Sequence, residues 1–273
     1  MAVETLPESS SWMVAAQQRV QKYVPPIVTF VLVLVLWELA IRVFDIKQFL
    51  LPAPSKIAEI YIAQFQVIYQ QGFRTFQNAL WGYAIGCGAG IVVALFAARF
   101  SSVTQVALPY AIIINSIPII ALAPIANQWF GLVNPGSKIV IVVLLCFFPT
   151  MINTVRGLTS ASSSTVELMR SYAATELTIF RKLRFPIALP YIFNALKICT
   201  TLAMIGAIVS EYFGGPISGL GVNILNNARM SRFPLVWAQI VVASSLGLAF
   251  YYVVSLVERV VMPWHISFRY QND

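Results

Sequence analysis

The chain has 273 residues, of which 59% are hydrophobic and 10% are charged, and its mean hydropathy is +0.78. Soluble domains carry roughly 25% charged residues, so composition excludes a typical soluble enzyme and also a disordered chain. The net charge of +8 does not by itself indicate nucleic acid, because cytoplasmic loops of membrane proteins collect Lys and Arg. We therefore predict an all-α polytopic membrane protein.

Six stretches of the chain reach the length of about 20 mostly apolar residues that a membrane-crossing helix needs. The first begins too late for a secretory signal peptide, and no small-residue cleavage site follows it. The third contains Pro109, Pro118 and Pro124, which are tolerated at that depth only if the freed carbonyl groups find partners. The six predicted spans are 24–44, 78–100, 108–129, 137–155, 187–209 and 235–262.

The distribution of positive charge predicts the orientation of these spans. With both termini in the cytoplasm, ten Lys and Arg residues fall in cytoplasmic segments and six in outer segments. Five of the ten lie between Arg156 and Arg184, in one short loop, where the positive-inside rule is strongest. We therefore expect a cytoplasmic lead at 1–23, a membrane domain at 24–262 with a cytoplasmic loop at 156–186, and a cytoplasmic tail at 263–273.

Two further features are predicted in and before the second span. Residues 45–77 hold an interfacial helix on the outer side, and Ser55 is the expected N-cap of a helix over 56–69. Gly82, Gly86 and Gly90 recur every four residues and predict a ridge that lets a second helix backbone approach closely. We favour this interpretation over a nucleotide-binding glycine loop, because no strand or acidic partner frames it.

The sequence lacks the usual motifs of catalysis and metal binding. It has no GxxxxGK[ST] phosphate loop, no nucleophile–base constellation and one histidine, His265, which we interpret as an interfacial residue beside Trp264. Cys87, Cys146 and Cys199 lie in separate apolar runs, so we expect buried thiols and no metal site. The chain is therefore not expected to be an enzyme or to bind a cofactor of its own.

The cytoplasmic loop has the sequence of two capped helices. Ser164-x-x-Glu167 is a capping box that predicts a first helix, which breaks at the small pair 173–174. Thr175 is the expected cap of a second helix that ends at Leu183, before a Phe-Pro pair. From the residues alone, a helix pair that docks in a partner's groove and a solvated loop are equally good interpretations.

Part of this loop resembles a known family. Glu167, Ala173 and the Leu-Arg-Phe-Pro run at 183–186 have the spacing of the EAA loop of binding-protein-dependent ABC importer permeases. That pattern reads Glu-Ala-Ala, three residues, Gly, nine residues and Ile-x-Leu-Pro. This chain departs from it at 168–169, which are Leu-Met, and at Ala173, where alanine resists the positive φ that glycine adopts. The resemblance implies the type I importer permease fold, in a bacterial plasma membrane.

Further segments, spread over residues 24–270, resemble the nitrate, sulfonate and taurine branch of that family. The run 210–216, Ser-Glu-Tyr-Phe-Gly-Gly-Pro, is most similar to permeases for riboflavin or for pyrimidine precursors of thiamin. We therefore expect such a heterocycle as the substrate, with nitrate, a sulfonate or taurine as the alternative. The other similar segments are 51–55, 116–118, 123–124, 129–132, 137–139, 147–149 and Glu211 with 219–221.

The resemblance also implies partners. They are a second permease subunit, expected to be a copy of this chain, two cytoplasmic subunits that bind ATP and Mg²⁺, and an external substrate-binding protein. The loop helices would dock in the ATPase, so that closure of the ATPase dimer drives the permease between inward-open and outward-open states. The residues expected at this contact are Glu167, Arg170, Tyr172, Ala173, Ala174, Thr175 and Glu176.

Polar side chains inside spans predict the transport pathway, because they are costly in lipid and usually face a cavity or a partner. A hydrogen bond to a neighbouring helix is an equal alternative for each. Lys197 is expected to snorkel to the membrane surface, to pair with an acidic group or to meet an anionic substrate. Glu38 and Arg42, four residues apart, are expected to pair. The predicted pathway residues are Asn115, Ser116, Asn153, Asn194, Lys197, Thr200, Thr201 and, as an apolar wall, Met204.

Two other classes of membrane protein are alternatives to an ABC permease. A secondary transporter can also have six spans, but it usually shows acidic residues at mid-membrane and inverted repeats, and neither is evident in the sequence. A purely structural membrane protein has no reason to carry a capped helix pair in the cytoplasm. Co-purification of an ATP-binding subunit would separate the three classes.

Overall fold

The computed structural model describes residues 9–100, 109–215 and 218–264. Predictions about His265, Pro216, the first eight residues and most of the tail lie outside the described residues. Within these ranges the chain is helical and has no strand, as composition predicted. The helices are α1 (Ser9–Val43), α2 (Pro54–Ala63), α3 (Phe65–Arg99), α4 (Pro109–Asn115), α5 (Ala123–Phe130), α6 (Pro135–Thr159), α7 (Ser163–Ser171), α8 (Glu176–Ile179), α9 (Phe185–Tyr212), α10 (Leu220–Arg229) and α11 (Phe233–Val261).

In the described part of the chain, five helices are long and apolar enough to cross a membrane. They are Val24–Val43 of α1, α3, α6, the continuous segment Glu176–Tyr212 and α11. The third predicted span is a pair of segments, α4 and Ile119–Phe130, that meet at 67°. Pro118 stands at the break, because proline disfavours helical conformation in the residue before it and has no N–H to donate. Counting the bent pair as one span gives the six that were predicted. The predicted start of the second span at 78 is wrong, because α3 begins at Phe65, inside the segment predicted to be interfacial.

The second, fourth and fifth spans, α3, α6 and α9, pack together as the centre of the fold. Gly82, Gly86 and Gly90 are buried on the face of α3 that meets α6. A Cβ added at Gly86 would lie 2.6 Å from the carbonyl oxygen of Val143, and one added at Gly90 would lie 2.7 Å from that of Phe147. The predicted glycine ridge is confirmed, and it lets the two backbones touch.

The helix predicted over 56–69 is wrong at both ends, because α2 has Ala53 as its N-cap and stops at Ala63. Ser55 does not cap its own helix. Its N–H and its hydroxyl donate to the two carboxylate oxygens of Glu38, at 3.1 and 2.8 Å. The same carboxylate accepts from Arg42 at 2.7 Å, which confirms the predicted pair. A carboxylate of α1 thus satisfies the backbone N–H of Ser55 in the first turn of α2.

The second loop helix does not end at Leu183 as predicted. α8 continues through a π-helical turn, Phe180–Arg184, directly into α9. Pro186 lies in the first turn of α9. It does not end the helical segment, because the π-helical turn before it keeps the backbone helical. The second loop helix and the fifth span are therefore one continuous helical segment, Glu176–Tyr212.

Candidate functional site

Residues 162–179, which we call the elbow, contain two short helices joined by a sharp turn. Ser162 caps α7, since its hydroxyl oxygen accepts a hydrogen bond from the N–H of Thr165. The capping box predicted at Ser164 is therefore wrong by two residues. Ser162 has the extended backbone that an N-cap requires, with φ −63° and ψ 142°, whereas Ser164 already lies inside the helix.

The turn after α7 is a Schellman motif centred on Ala173. The N–H of Ala174 donates to the carbonyl of Met169 at 3.1 Å, and the N–H of Ala173 donates to the carbonyl of Arg170 at 2.9 Å. Ala173 has a φ of +55°, in the left-handed region that favours glycine. The predicted break is confirmed, and alanine adopts this left-handed conformation at a cost of about 1–2 kcal/mol.

Side chains on both sides of the turn fix the angle between α7 and α8. Thr175 caps α8 as predicted, because its hydroxyl oxygen accepts from the N–H of Thr178. Arg170 and Glu176 form an ion pair across the turn at 2.8 Å, and each side chain is 56% exposed. An exposed pair of this kind contributes less than about 1 kcal/mol, so it orients the turn more than it stabilises it.

The elbow presents apolar side chains to its surroundings. Leu168, Tyr172 and Leu177 are exposed by 56%, 81% and 65%, whereas Val166 and Ile179 are buried and anchor the segment. The seven predicted coupling residues all lie on this one segment, and all but the half-buried Ala174 are exposed. Sequence analysis did not name Leu168 and Leu177, although apolar residues in a polar loop are a signal of an interaction surface.

A groove of about 370 Å³ lies between the fifth and sixth spans. Three predicted pathway residues, Asn194, Lys197 and Thr201, meet there because a spacing of three and four residues places them on one face of α9. The complete lining is Asn194, Lys197, Ile198, Thr201 and Leu202 of α9 and Tyr251 of α11.

Lys197 forms an ion pair with Glu258 of α11 at 2.7 Å, with side-chain exposures of 22% and 9%. Of the three expectations for Lys197, the structure shows the acidic partner. Sequence analysis missed Glu258, and its signal was an acidic residue inside a predicted apolar span, which is rare unless it is paired. The groove is therefore lined by a cation whose charge is already neutralised by α11.

The other predicted pathway residues lie apart from this groove. Asn115 and Ser116 are exposed at the bend after α4. Asn153 is half-buried, and its amide donates to the carbonyl four residues earlier at 2.8 Å. Thr200 and Met204 are buried inside the subunit, Thr200 donating to the carbonyl of Lys197 and Met204 packed in the main apolar core. In this conformation neither of these two side chains reaches the exposed face of α9.

A second polar site lies where α9 meets α10, a helix that sequence analysis did not predict. We call it the polar cluster: Thr75, Asn127, Lys138 and Glu211, from four helices. The Glu211 carboxylate accepts from the Thr75 hydroxyl at 3.0 Å and from the N–H of Gly221 at 2.8 Å. The Thr75 oxygen accepts from the N–H of Leu220 at 2.8 Å, so the N-terminus of α10 is held by α3 and α9.

Lys138 completes this cluster from α6 and is fully buried. Its ammonium group donates to Asn127 Oδ1 at 3.0 Å, to Ser137 Oγ at 2.8 Å and to the carbonyl of Leu132. The Asn127 amide in turn donates to the carbonyl of Phe213 at 3.0 Å. Three acceptors thus satisfy the buried ammonium group of Lys138. The bond from Asn127 to Phe213 ties the segment after α9 to α5, and the bond from Lys138 to Asn127 ties α5 to α6.

The three cysteines meet in the packed centre of the fold, one from each central span. Cys87 of α3, Cys146 of α6 and Cys199 of α9 have sulfur atoms that all lie within 4.8 Å of one another. The expectation of buried thiols is confirmed. Their linear spacing predicted no cluster, and here the structure differs, because spacing does not show which helix faces meet across three spans.

Residues 86–263 match the family model described as binding-protein-dependent transport system inner membrane component. The chain is 31% identical over 242 residues to the formylaminopyrimidine transport permease protein ThiX of Halalkalibacterium halodurans, covering 88% of this chain and 95% of that relative. It is 28% identical over 243 residues to the riboflavin transport system permease protein RibX of Chloroflexus aurantiacus, covering 88% and 90%. It is also 29% identical over 192 residues to the putative aliphatic sulfonates transport permease protein SsuC of Bacillus subtilis, covering 70% and 68%.

The matched region contains the elbow, the groove and most of the polar cluster, so the resemblance seen in the loop extends over the membrane domain. The family consists of transport proteins rather than enzymes, and its membrane-spanning helical fold agrees with the apolar helices observed. The chain belongs to the inner-membrane permease components of binding-protein-dependent ABC importers.

Proposed function

We propose that this permease works as a homodimer in a bacterial plasma membrane, with an external binding protein and two cytoplasmic ATPase subunits that hold ATP and Mg²⁺. The elbow is the proposed ATPase contact. The observation that supports this contact is a pre-ordered turn that exposes Leu168, Tyr172 and Leu177 while its two helices are anchored by buried residues.

The connection of the elbow to the fifth span supports a mechanical role. α8 passes without a break into α9, which carries the groove residues Asn194, Lys197 and Thr201. A helix transmits displacement along its axis because its backbone bonds are contiguous. Closure of the ATPase dimer would therefore move the elbow and, through it, the wall of the pathway.

Replacement of Ala173 by Trp tests this contact. Ala173 is exposed at the turn, so the larger ring is tolerated by the isolated permease but obstructs seating in a complementary groove. We expect the variant to insert and dimerise normally but to lose ATPase binding, substrate-stimulated ATP hydrolysis and uptake in proteoliposomes.

A matched control is Ala58→Trp, which makes the same substitution at an exposed position of α2, far from the elbow in sequence. This control should retain both hydrolysis and uptake. Normal uptake by well-expressed Ala173→Trp would show that the elbow is not the coupling element.

The proposed ATPase contact places the elbow, and with it both termini, in the cytoplasm. Single cysteines at Ser162 and Ser218, in a variant that lacks the native three, report this orientation. A reagent confined to the outside should label position 218 only. Equal labelling of both positions from outside would contradict the orientation.

For the substrate, we propose a neutral planar heterocycle of the flavin or pyrimidine-precursor type. The relatives ThiX and RibX are named for such substrates and match 88% of this chain. The groove offers the amide of Asn194, the hydroxyls of Thr201 and Tyr251 and an apolar wall, which suit ring carbonyls and a flat apolar face. Its one cation, Lys197, is neutralised by Glu258 at 2.7 Å.

The alternative substrate is a small anion such as a sulfonate, nitrate or taurine, favoured by the similarity to SsuC. An anion requires uncompensated positive charge along its path, and among the groove residues only Lys197 carries any. The Lys197–Glu258 pair must open before Lys197 can bind an anion. Transport of an anion would therefore require the charge of Lys197, whereas transport of a neutral heterocycle would not.

The double variant Lys197→Gln/Glu258→Gln separates the two substrate classes. It removes both charges together, so no unpaired charge stays buried and the two amides can still bond α9 to α11. The cognate binding protein, screened by thermal shift against flavins, pyrimidines, sulfonates and nitrate, identifies the substrate whose uptake is measured.

A heterocycle permease should keep most of its uptake rate in the double variant, while the single variant Lys197→Gln loses more because Glu258 is left buried without its partner. Binding-protein selection of a sulfonate or nitrate, combined with loss of uptake in both folded variants, would contradict the heterocycle assignment.

A further inference from the structure

The three cysteine sulfurs meet outside the elbow, the groove and the polar cluster. Their pairwise separations are at most 4.8 Å, and the side chains of Cys87, Cys146 and Cys199 are 3%, 0% and 0% exposed. The hydroxyl of Thr150 lies 3.4 Å from the sulfurs of Cys87 and Cys199, and the Cys146 and Cys199 thiols each donate to the other residue's carbonyl, at 3.6 and 3.5 Å. Three soft ligands therefore converge from three different helices.

The separation of the sulfurs fits one central ion bonded to all three. Sulfur ligands lie about 2.3 Å from such an ion, so three of them around it stand no more than roughly 4 Å apart. The sulfurs, at most 4.8 Å apart, therefore have to approach one another by less than about 1 Å to reach this distance. The packing of α3, α6 and α9 holds the three ligands close together before an ion binds.

The charge of the complex decides which ion this site prefers. Three thiolates around Zn²⁺ carry one net negative charge and around Cu⁺ carry two, and no cation in the described residues contacts these sulfurs. A net charge buried in an apolar membrane core is strongly disfavoured. A trivalent ion balances three thiolates and leaves a neutral, apolar complex. Soft thiolate ligands are moreover selective for thiophilic elements.

We propose that Cys87, Cys146 and Cys199 form a binding site for trivalent arsenic. Arsenous acid, As(OH)₃, reacts with the three thiols to give the arsenic trithiolate and three water molecules. Three As–O bonds and three S–H bonds break, and three As–S bonds and three O–H bonds form. Each thiol proton leaves on a departing hydroxyl group as water and arsenic stays trivalent, so the step needs no oxidant and no added base. Arsenous acid is uncharged at neutral pH and reaches the membrane core without carrying charge into it.

Binding of arsenic ties the second, fourth and fifth spans to one atom. Since these spans form the centre of the fold, the bound form should unfold at a higher temperature and should interconvert less readily between conformations. This inference does not depend on the substrate or on the ATPase contact, because it rests on the sulfur positions alone.

The experiment uses the full chain in detergent, treated with one equivalent of sodium arsenite under reducing, phosphine-containing buffer and then desalted. Elemental analysis should find one arsenic atom per chain. Native mass spectrometry should show the mass of one arsenic atom less three hydrogens, and X-ray absorption should show three sulfur neighbours. The melting temperature should rise.

The single variants Cys87→Ser, Cys146→Ser and Cys199→Ser each remove one ligand with little change of volume. Each should lose three-sulfur coordination and the rise in melting temperature, whereas Thr150→Val, which keeps all three sulfurs, should retain both. Failure of the folded wild type to bind arsenic, a two-sulfur adduct, binding that survives in all three variants, or equal retention of Zn²⁺ would overturn the proposal.

Discussion

The elbow and the polar cluster both depend on polar side chains, but their hydrogen bonds span very different lengths of sequence. In the elbow the bonded residues lie at most six positions apart, as Arg170 and Glu176 do. In the polar cluster Thr75 and Glu211 are 136 positions apart and Thr75 and Leu220 are 145 apart. Lys138 of the cluster bonds residues only one to eleven positions away. Local sequence therefore specifies the elbow, whereas only the packing of the spans brings Thr75 to Glu211 and Leu220.

This difference predicts how the two regions respond to substitution. A locally bonded, exposed segment keeps its shape when it moves as a unit, which suits a contact that transmits force. A buried cluster comes apart only if the packing of several helices is lost. We therefore expect substitutions in the polar cluster to affect stability strongly, and substitutions in the elbow to affect stability weakly and coupling strongly.

The largest effect on stability is expected from Glu211→Ala. The change leaves the Gly221 N–H buried without an acceptor and leaves the Thr75 hydroxyl with only the carbonyl of Gln71 at 3.4 Å, at roughly 1–3 kcal/mol for each group that loses its hydrogen bond. The free energy of unfolding should fall by about 3 kcal/mol or more, measured by tryptophan fluorescence during thermal unfolding in detergent. Glu59→Ala, which removes an exposed carboxylate paired with Lys56, is the control and should change it by less than about 0.5 kcal/mol. Equal effects of the two variants would contradict the prediction.

An intermediate effect is expected from Gly86→Ala on the glycine ridge. The added Cβ would lie 2.6 Å from the backbone oxygen of Val143, which cannot move without displacing α6, so overpacking should destabilise the protein by about 1–3 kcal/mol. Gly88→Ala is the matched control two residues away, with no atom within 4 Å of the new Cβ. It should be neutral or stabilising by up to about 1 kcal/mol, because alanine favours helix. A lower melting temperature for the control than for Gly86→Ala would refute this account of the packing.

A smaller effect, of opposite sign, is expected from Ala173→Gly. Glycine adopts the φ of +55° without the steric cost that alanine carries, offset in part by its larger unfolded-state entropy. The elbow should gain about 0.5–1 kcal/mol, seen as slower hydrogen exchange of the amides of Ala173 and Ala174. In the described residues Ala174 does not have a positive φ, so Ala174→Gly should instead speed exchange. The same direction of change in both variants would show that the turn conformation is not the cause.

The smallest effect is expected from Arg170→Ala. The ion pair with Glu176 is 56% exposed on both sides, so a double-mutant cycle with Glu176→Ala should give a coupling energy of about 0.5 kcal/mol that falls in high salt. Hydrogen exchange of the elbow amides at two salt concentrations measures it. A coupling energy above about 2 kcal/mol, unaffected by salt, would contradict this prediction, because it would mean that the ion pair is as strong as a buried polar contact.

Several errors of the sequence analysis share one cause. The cap was placed at Ser164 rather than Ser162 because three serines stand in a row and the choice depends on local backbone geometry. It was placed at Ser55 rather than Ala53, although Ala53 has no side chain that can cap. α10 was missed because it is short and polar and lies between two strong hydrophobic signals. For Ser55, moreover, the partner is Glu38 on another helix, which local sequence does not indicate.

The sequence by itself determined the spans, the break at Pro118, the glycine ridge and the turn at Ala173. Each of these depends on a signal that is complete within a few neighbouring residues: apolar length, a missing N–H, a four-residue repeat, a cap. Only the tertiary structure decided that Lys197 meets Glu258, that Glu211 holds Thr75, and that three cysteines converge. Such pairings depend on how each helix is rotated about its axis, and one residue of helix turns a side chain by about 100°. Rotation is set by the fit of whole helix surfaces, which is a property of the packed molecule and not of any single segment.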